Sequence, residues 1–168
     1  VAPAVFRIYN DTTGDIGNYG TDIAASSNRI FMTYGHGGPF MNNDAVYDSK
    51  IMFADNDGNL LKLISLPTGF QVSDLLAMDD GSLMAAETFP GYDFRNQIYM
   101  YHFTKNGDLI SLDSIFPSII DTLNIFSGYD LRGIRMCQSH TSGNVIVFAR
   151  TEDQTGFIME YNPVSGSQ

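Results

Sequence analysis

Cysteine is nearly missing. A single Cys137 leaves no internal disulfide framework to consider, and the expected environment for it is that of a small, half-buried strand residue. Tryptophan is absent, and cations are scarce: nine Lys and Arg against nineteen Asp and Glu give a formal charge of −10 at pH 7. Phosphate binding depends on clustered Lys and Arg, so this acidic balance excludes nucleic acid as a partner and disfavours an anionic membrane surface. No stretch approaches the roughly 18 consecutive apolar residues of a membrane span, so no membrane insertion is expected. The opening Val1-Ala-Pro-Ala4 lacks both an initiating Met and the basic and apolar regions of a signal peptide, which suggests a processed or excised piece. Long stretches of helix formers are missing as well.

What is present fits many short strands. The 168 residues leave room for one domain with a sizeable core, and 43% hydrophobic against 17% charged residues is the balance of a folded chain. Sixteen glycines, nine tyrosines and twelve phenylalanines favour an all-β chain rich in turns. The stretch 72–116 repeats one design twice. Asp74 to Met78, the turn Asp79-Asp80-Gly81 and Ser82 to Glu87 read as one hairpin; Gln97 to Phe103, the turn Lys105-Asn106-Gly107 and Asp108 to Asp113 read as another. Asp-Gly and Asn-Gly stand where a tight turn needs positive φ. Four strands in about 45 residues make one β-propeller blade.

The rest of the chain follows the same plan. Thr21 to Ala25 and Arg29 to Tyr34, with Asn28 in place of the turn glycine, form a first hairpin; Lys50 to Ala54 and Asn59 to Ile64, around Gly58, form a second. Further on, Asp130 to Cys137 and Asn144 to Ala149 pair around Gly143, and Gly156 to Tyr161 adds a third strand. The spacing of Gly58 and Gly107 matches the period of about 50 residues expected of blades. The longer spacing from Gly81 to Gly143 places an inserted connection at 118–128. The expected pieces are therefore 1–20 (part of a blade), 21–69, 70–117 and 129–168 (incomplete), an open arc of about three blades.

The segments Asp74 to Ala86, Tyr101 to Leu109 with Leu112 to Phe116, and Leu131-Arg-Gly-Ile134 with Met159-Glu-Tyr-Asn162 resemble the delta-60-type propeller repeats. The lysine of that family's Asp-Gly-Lys is Ser82 here, and Thr141-Ser-Gly143 replaces Asp-Gly in the third copy. The resemblance implies a propeller fold and, through the usual setting of the family, a secreted or cell-surface protein. Its motifs are structural and carry no activity.

In an up-and-down blade the connections alternate between two faces. The short turns at Asn28, Gly58, Gly81, Gly107 and Gly143 fall on one, and the longer links at 35–48, 89–95, 118–128 and 151–155 fall on the other, where binding residues usually reside. There, Tyr92, Asp93, Phe94 and Arg95 bring two rings, a carboxylate and a guanidinium into one loop suited to a sugar or peptide. Tyr47 and Asp48 offer a second such pair, and His36 lies in a glycine-rich segment that lets backbone N–H groups approach a ligand. Against these stands the plain alternative of rings packed between blades and a surface ion pair.

No catalytic residue, metal site or cofactor is expected. His36, His102 and His140 have no metal-ligand spacing, and His102, between Tyr101 and Phe103, reads as a strand-surface residue. Asp55-Asn-Asp-Gly-Asn59 has the glycine too early for an EF-hand loop and reads as a hairpin turn. Asp79, Asp80, Asp113 and Asp121 would suit glycoside hydrolysis only if the fold paired them. The leading expectation is a non-enzymatic scaffold for protein or carbohydrate interaction within a larger assembly, with other chains or further blades covering the open ends of the arc. The alternatives are a propeller hydrolase or lyase acting on carbohydrate, and a structural component of a filament, tail or secretion-associated complex.

Overall fold

The computed structural model describes residues 18–36, 48–66, 71–88, 98–115, 132–150 and 156–164. Among these the chain is all-β, in three antiparallel sheets with strands in sequence order. The first sheet holds β1 (Asn18–Ala25), β2 (Ile30–His36), β3 (Asp48–Ala54) and β4 (Leu60–Ser65). The second holds β5 (Gln71–Ala77), β6 (Leu83–Thr88), β7 (Ile98–Phe103) and β8 (Leu109–Ile115). The third holds β9 (Arg132–Gln138), β10 (Val145–Arg150) and β11 (Gly156–Tyr161). β1 starts at Asn18, ahead of the expected Thr21, because a bulge at Thr21 lets pairing with β2 continue past it.

The tight turns follow from local chemistry. In the turns at 55–59, 78–82 and 104–108 the first N–H donates to a carbonyl four residues on, while the glycine N–H donates back to the first residue's carbonyl. Those glycines, with Gly143, have φ between 73° and 85°, a region that side chains with a Cβ resist. Gly107 has a second reason to be glycine: a Cβ there would lie 3.0 Å from Ile64 Cδ1 and Lys62 Cδ. The acidic segment at Asp55 is such a turn, its carboxylate accepting from the Asp57 and Asn59 N–H groups and the Asn59 amide.

The second sheet lies between the other two, so alternate residues of its strands enter different cores. Tyr101, Phe103, Leu83 and Ala85 pack with Phe31, Ile51 and Phe53 of the first sheet. Ile98, Met100, Met84 and Ala86 pack with Ile134, Val145, Val147 and Tyr161 of the third. Phe53 is the hinge of the aromatic side, meeting Phe31 edge-on at 5.2 Å and Phe103 at 6.0 Å. Burial on both faces also corrects the reading of His102, which is 8% exposed and not on a strand surface. Cys137 departs from expectation in the other direction: it is exposed, in register with Ile146 on the third sheet's outer face.

Candidate functional site

The first strands of the three sheets lie side by side and carry a polar row, Asp22, Asp74 and Arg135. Each residue stands four positions before the N–H that opens the following short turn, those of Ser26, Met78 and Ser139. Each also follows an irregularity in pairing, at Thr21 in β1, Ser73 in β5 and between Arg132 and Arg135 in β9. A bulge turns the next side chain along the sheet edge instead of into a face. As a result Asp22 Oδ2 accepts the Leu75 N–H of the next sheet at 2.6 Å, and Asp74 Oδ2 accepts the Met136 N–H of the sheet after at 2.5 Å.

Electrostatics distinguish the two links. Burial raises the Asp74 carboxyl to about 6, against the lowering effect of the Met136 N–H; the neighbouring Asp22 carboxyl raises it further, while Arg135 lowers it. Arg135 Nη1 donates to Asp74 Oδ1 at 3.2 Å and to the Ser73 carbonyl at 3.3 Å. The row therefore brings two carboxyls together and caps one of them with a guanidinium. Neither carboxyl is idle, since both are acceptors for backbone N–H groups that would otherwise lack a partner at a sheet edge.

A second polar group lies between the second and third sheets. Ser82 donates from its N–H and its hydroxyl to Asp80 Oδ1, at 2.8 and 2.6 Å, and its Oγ is 3.0 Å from His102 Nε2. Asp, Ser and His are the residue types of a hydrolase triad, but here the serine sits between the other two and its proton goes to the aspartate, so the histidine does not act as its base. The Ser82 hydroxyl chiefly holds the Asp80 carboxyl below its ordinary range, and burial lowers the His102 imidazole, keeping it neutral at pH 7. Nearby, Tyr161 donates its hydroxyl to Asp113; burial first, then that carboxylate, pushes the phenol up. Tyr101 does the same to the buried Glu87 at 2.8 Å in the other core.

Of the residues that sequence reasoning singled out for binding, Tyr47, Tyr92, Asp93, Phe94 and Arg95 lie outside the described residues. His36 and Asp48 are register partners at the ends of β2 and β3, with Asn18 of β1 in the same row, at the end of the first sheet away from its short turns. His140 meets Asp79 at 3.5 Å, both largely exposed. Among the described residues no group of three or more His, Cys, Asp or Glu is placed to hold a metal ion. The polar row escaped sequence reasoning, although a signal was there: Thr21-Asp22-Ile23-Ala24-Ala25 and Ser73-Asp74-Leu75-Leu76-Ala77 each place a hydroxyl residue and an aspartate ahead of three apolar residues. No protein-family model matches this chain and no curated protein matches it.

Proposed function

We propose that the three sheets are blades of a β-propeller of the delta-60-type repeat, and that the chain is a non-enzymatic interaction scaffold in a secreted or surface assembly, binding protein or carbohydrate. The observation that carries this reading is the repeated link from a bulged first strand to the first strand of the next sheet, which fixes consecutive sheets in one relative arrangement. A frame of that kind holds loops in place and leaves their sequences free to vary. The longer connections, with Tyr47, Tyr92, Asp93, Phe94 and Arg95, and the strand ends at His36 and Asp48 supply the binding face.

An enzyme is the weaker reading. The neighbouring carboxyls Asp22 and Asp74 are each engaged by a backbone N–H of the following sheet, whereas glycoside hydrolysis needs two acids free to flank the bond. A structural role in a larger assembly has one observation in its favour, the apolar residues exposed on the outer faces of the first and third sheets, among them Ile23, Leu63, Phe148 and Ile158. Glycan and peptide arrays probed with the wild-type chain and with Tyr92→Ala/Arg95→Ala test the scaffold reading. Binding lost in the double variant is the expected result; turnover of a sugar, peptide or ester by the wild type overturns it.

A further inference from the structure

Ile23, Leu75 and Met136 occupy one position of the repeat, each immediately after the polar-row residue that follows the bulge and three residues ahead of the turn's first donor. Leu75 and Met136 do the same two things there. Each packs its side chain back toward the preceding sheet, and each gives its N–H to a carboxylate of that sheet. Leu75 is consequently only 6% exposed, while Ile23, with no preceding sheet among the described residues, is 63% exposed. The neighbouring Asp22 N–H donates to Thr33 Oγ1 of β2, so alternation along the strand aims the Ile23 N–H off the sheet edge. By register Ile23 continues into a row with Met32, Met52 and Leu63, in which Met52 is buried while Ile23 and Leu63 at its two ends are exposed.

We propose that this outer face of the first sheet docks a partner β-sheet whose own bulged edge strand presents an Asp or Glu to the Ile23 N–H, continuing the interface already made twice within the chain. A second copy stacked head to tail does not meet that requirement. Its third sheet carries Arg135 where the carboxylate belongs, so a guanidinium would face an N–H, donor against donor. The partner sheet is therefore of different sequence and acidic at that one position. The inference rests on the stacking of the sheets and holds whether or not the stack closes into a ring.

Arg135→Asp, which gives the chain the missing carboxylate, turns the protein into its own probe. Sedimentation velocity across a concentration series should show the variant self-associating at least about tenfold more tightly than wild type, the scale of one charge-assisted hydrogen bond. Adding Ile23→Pro, which removes an N–H that faces off an edge strand, should abolish that gain. Circular dichroism establishes that each variant is folded; if Arg135→Asp is not, Arg135→Asn supplies a neutral acceptor and should give a smaller gain in the same direction. Self-association no stronger than wild type in the folded variant overturns the proposal. So does a wild-type chain that already self-associates and loses this with Ile23→Pro, since a second copy would then be the occupant.

Discussion

The two interfaces of the second sheet use one backbone link and different fillings. Toward the first sheet the core is aromatic, with Phe31, Phe53, Tyr101 and Phe103 in contact; toward the third it is built of Met78, Met84, Met100 and β-branched residues. In both, a tyrosine hydroxyl donates to a buried or half-buried carboxylate, Tyr101 to Glu87 and Tyr161 to Asp113. The bulge, the carboxylate and the accepted N–H recur in register, while the side chains that fill the cores do not. Position between consecutive sheets is therefore set by backbone chemistry at the strand edge, and packing supplies most of the energy.

The largest expected effect separates the fillings. Phe53→Ala removes the ring that touches both Phe31 and Phe103 and should cost about 3–5 kcal/mol by urea unfolding. A loss below about 1 kcal/mol would mean that the aromatic core is not what holds the first sheet on the second.

Next in size is a contrast of turns. Gly107→Ala meets both a φ of 81° and a Cβ 3.0 Å from Ile64, whereas at Gly143, with φ 73°, an added Cβ meets nothing within 4 Å. Gly143→Ala should cost about 1 kcal/mol for its backbone alone, and Gly107→Ala clearly more because the first sheet must shift as well. Equal losses in thermal unfolding would remove Gly107 from the interface between the sheets.

The smallest effect is a pH dependence that belongs to one link. With the Asp74 carboxyl raised to about 6 from an ordinary 3.8, the folded chain holds that proton more tightly than the unfolded chain does. Its stabilising contribution is complete below the unfolded value and is lost as pH rises through the folded one. Across that window wild type should lose stability relative to Asp74→Asn as pH rises, a comparison that cancels the general repulsion of an acidic protein. A difference that stays flat would show that Asp74 is solvated and not engaged between the sheets, and one that runs the other way would show that the Met136 N–H and Arg135 outweigh its burial.

Much of this architecture was legible in the sequence, and the reason is local. Asp-Gly and Asn-Gly demand left-handed backbone at Gly81 and Gly107, and alternating runs such as Gln97 to Phe103 demand strands, so turns and strands could be placed without tertiary information. What was illegible depends on neighbours. Whether His102 meets water or a third sheet is decided by residues far away in sequence, and a bulge at Thr21 or Ser73 leaves no compositional trace. Asp22 and Asp74 recur at one point of two similar strands, yet nothing local indicates that their acceptor capacity is used by another sheet.

The central claim, that single carboxylates join consecutive sheets through backbone N–H groups, is tested most directly by residue-resolved amide hydrogen exchange on wild type, Asp22→Ala and Asp74→Ala. The account predicts that Asp22→Ala lowers protection at Leu75 and leaves Met136 unchanged, while Asp74→Ala lowers protection at Met136 and leaves Leu75 unchanged. Protection at both amides that matches wild type in both variants would contradict it.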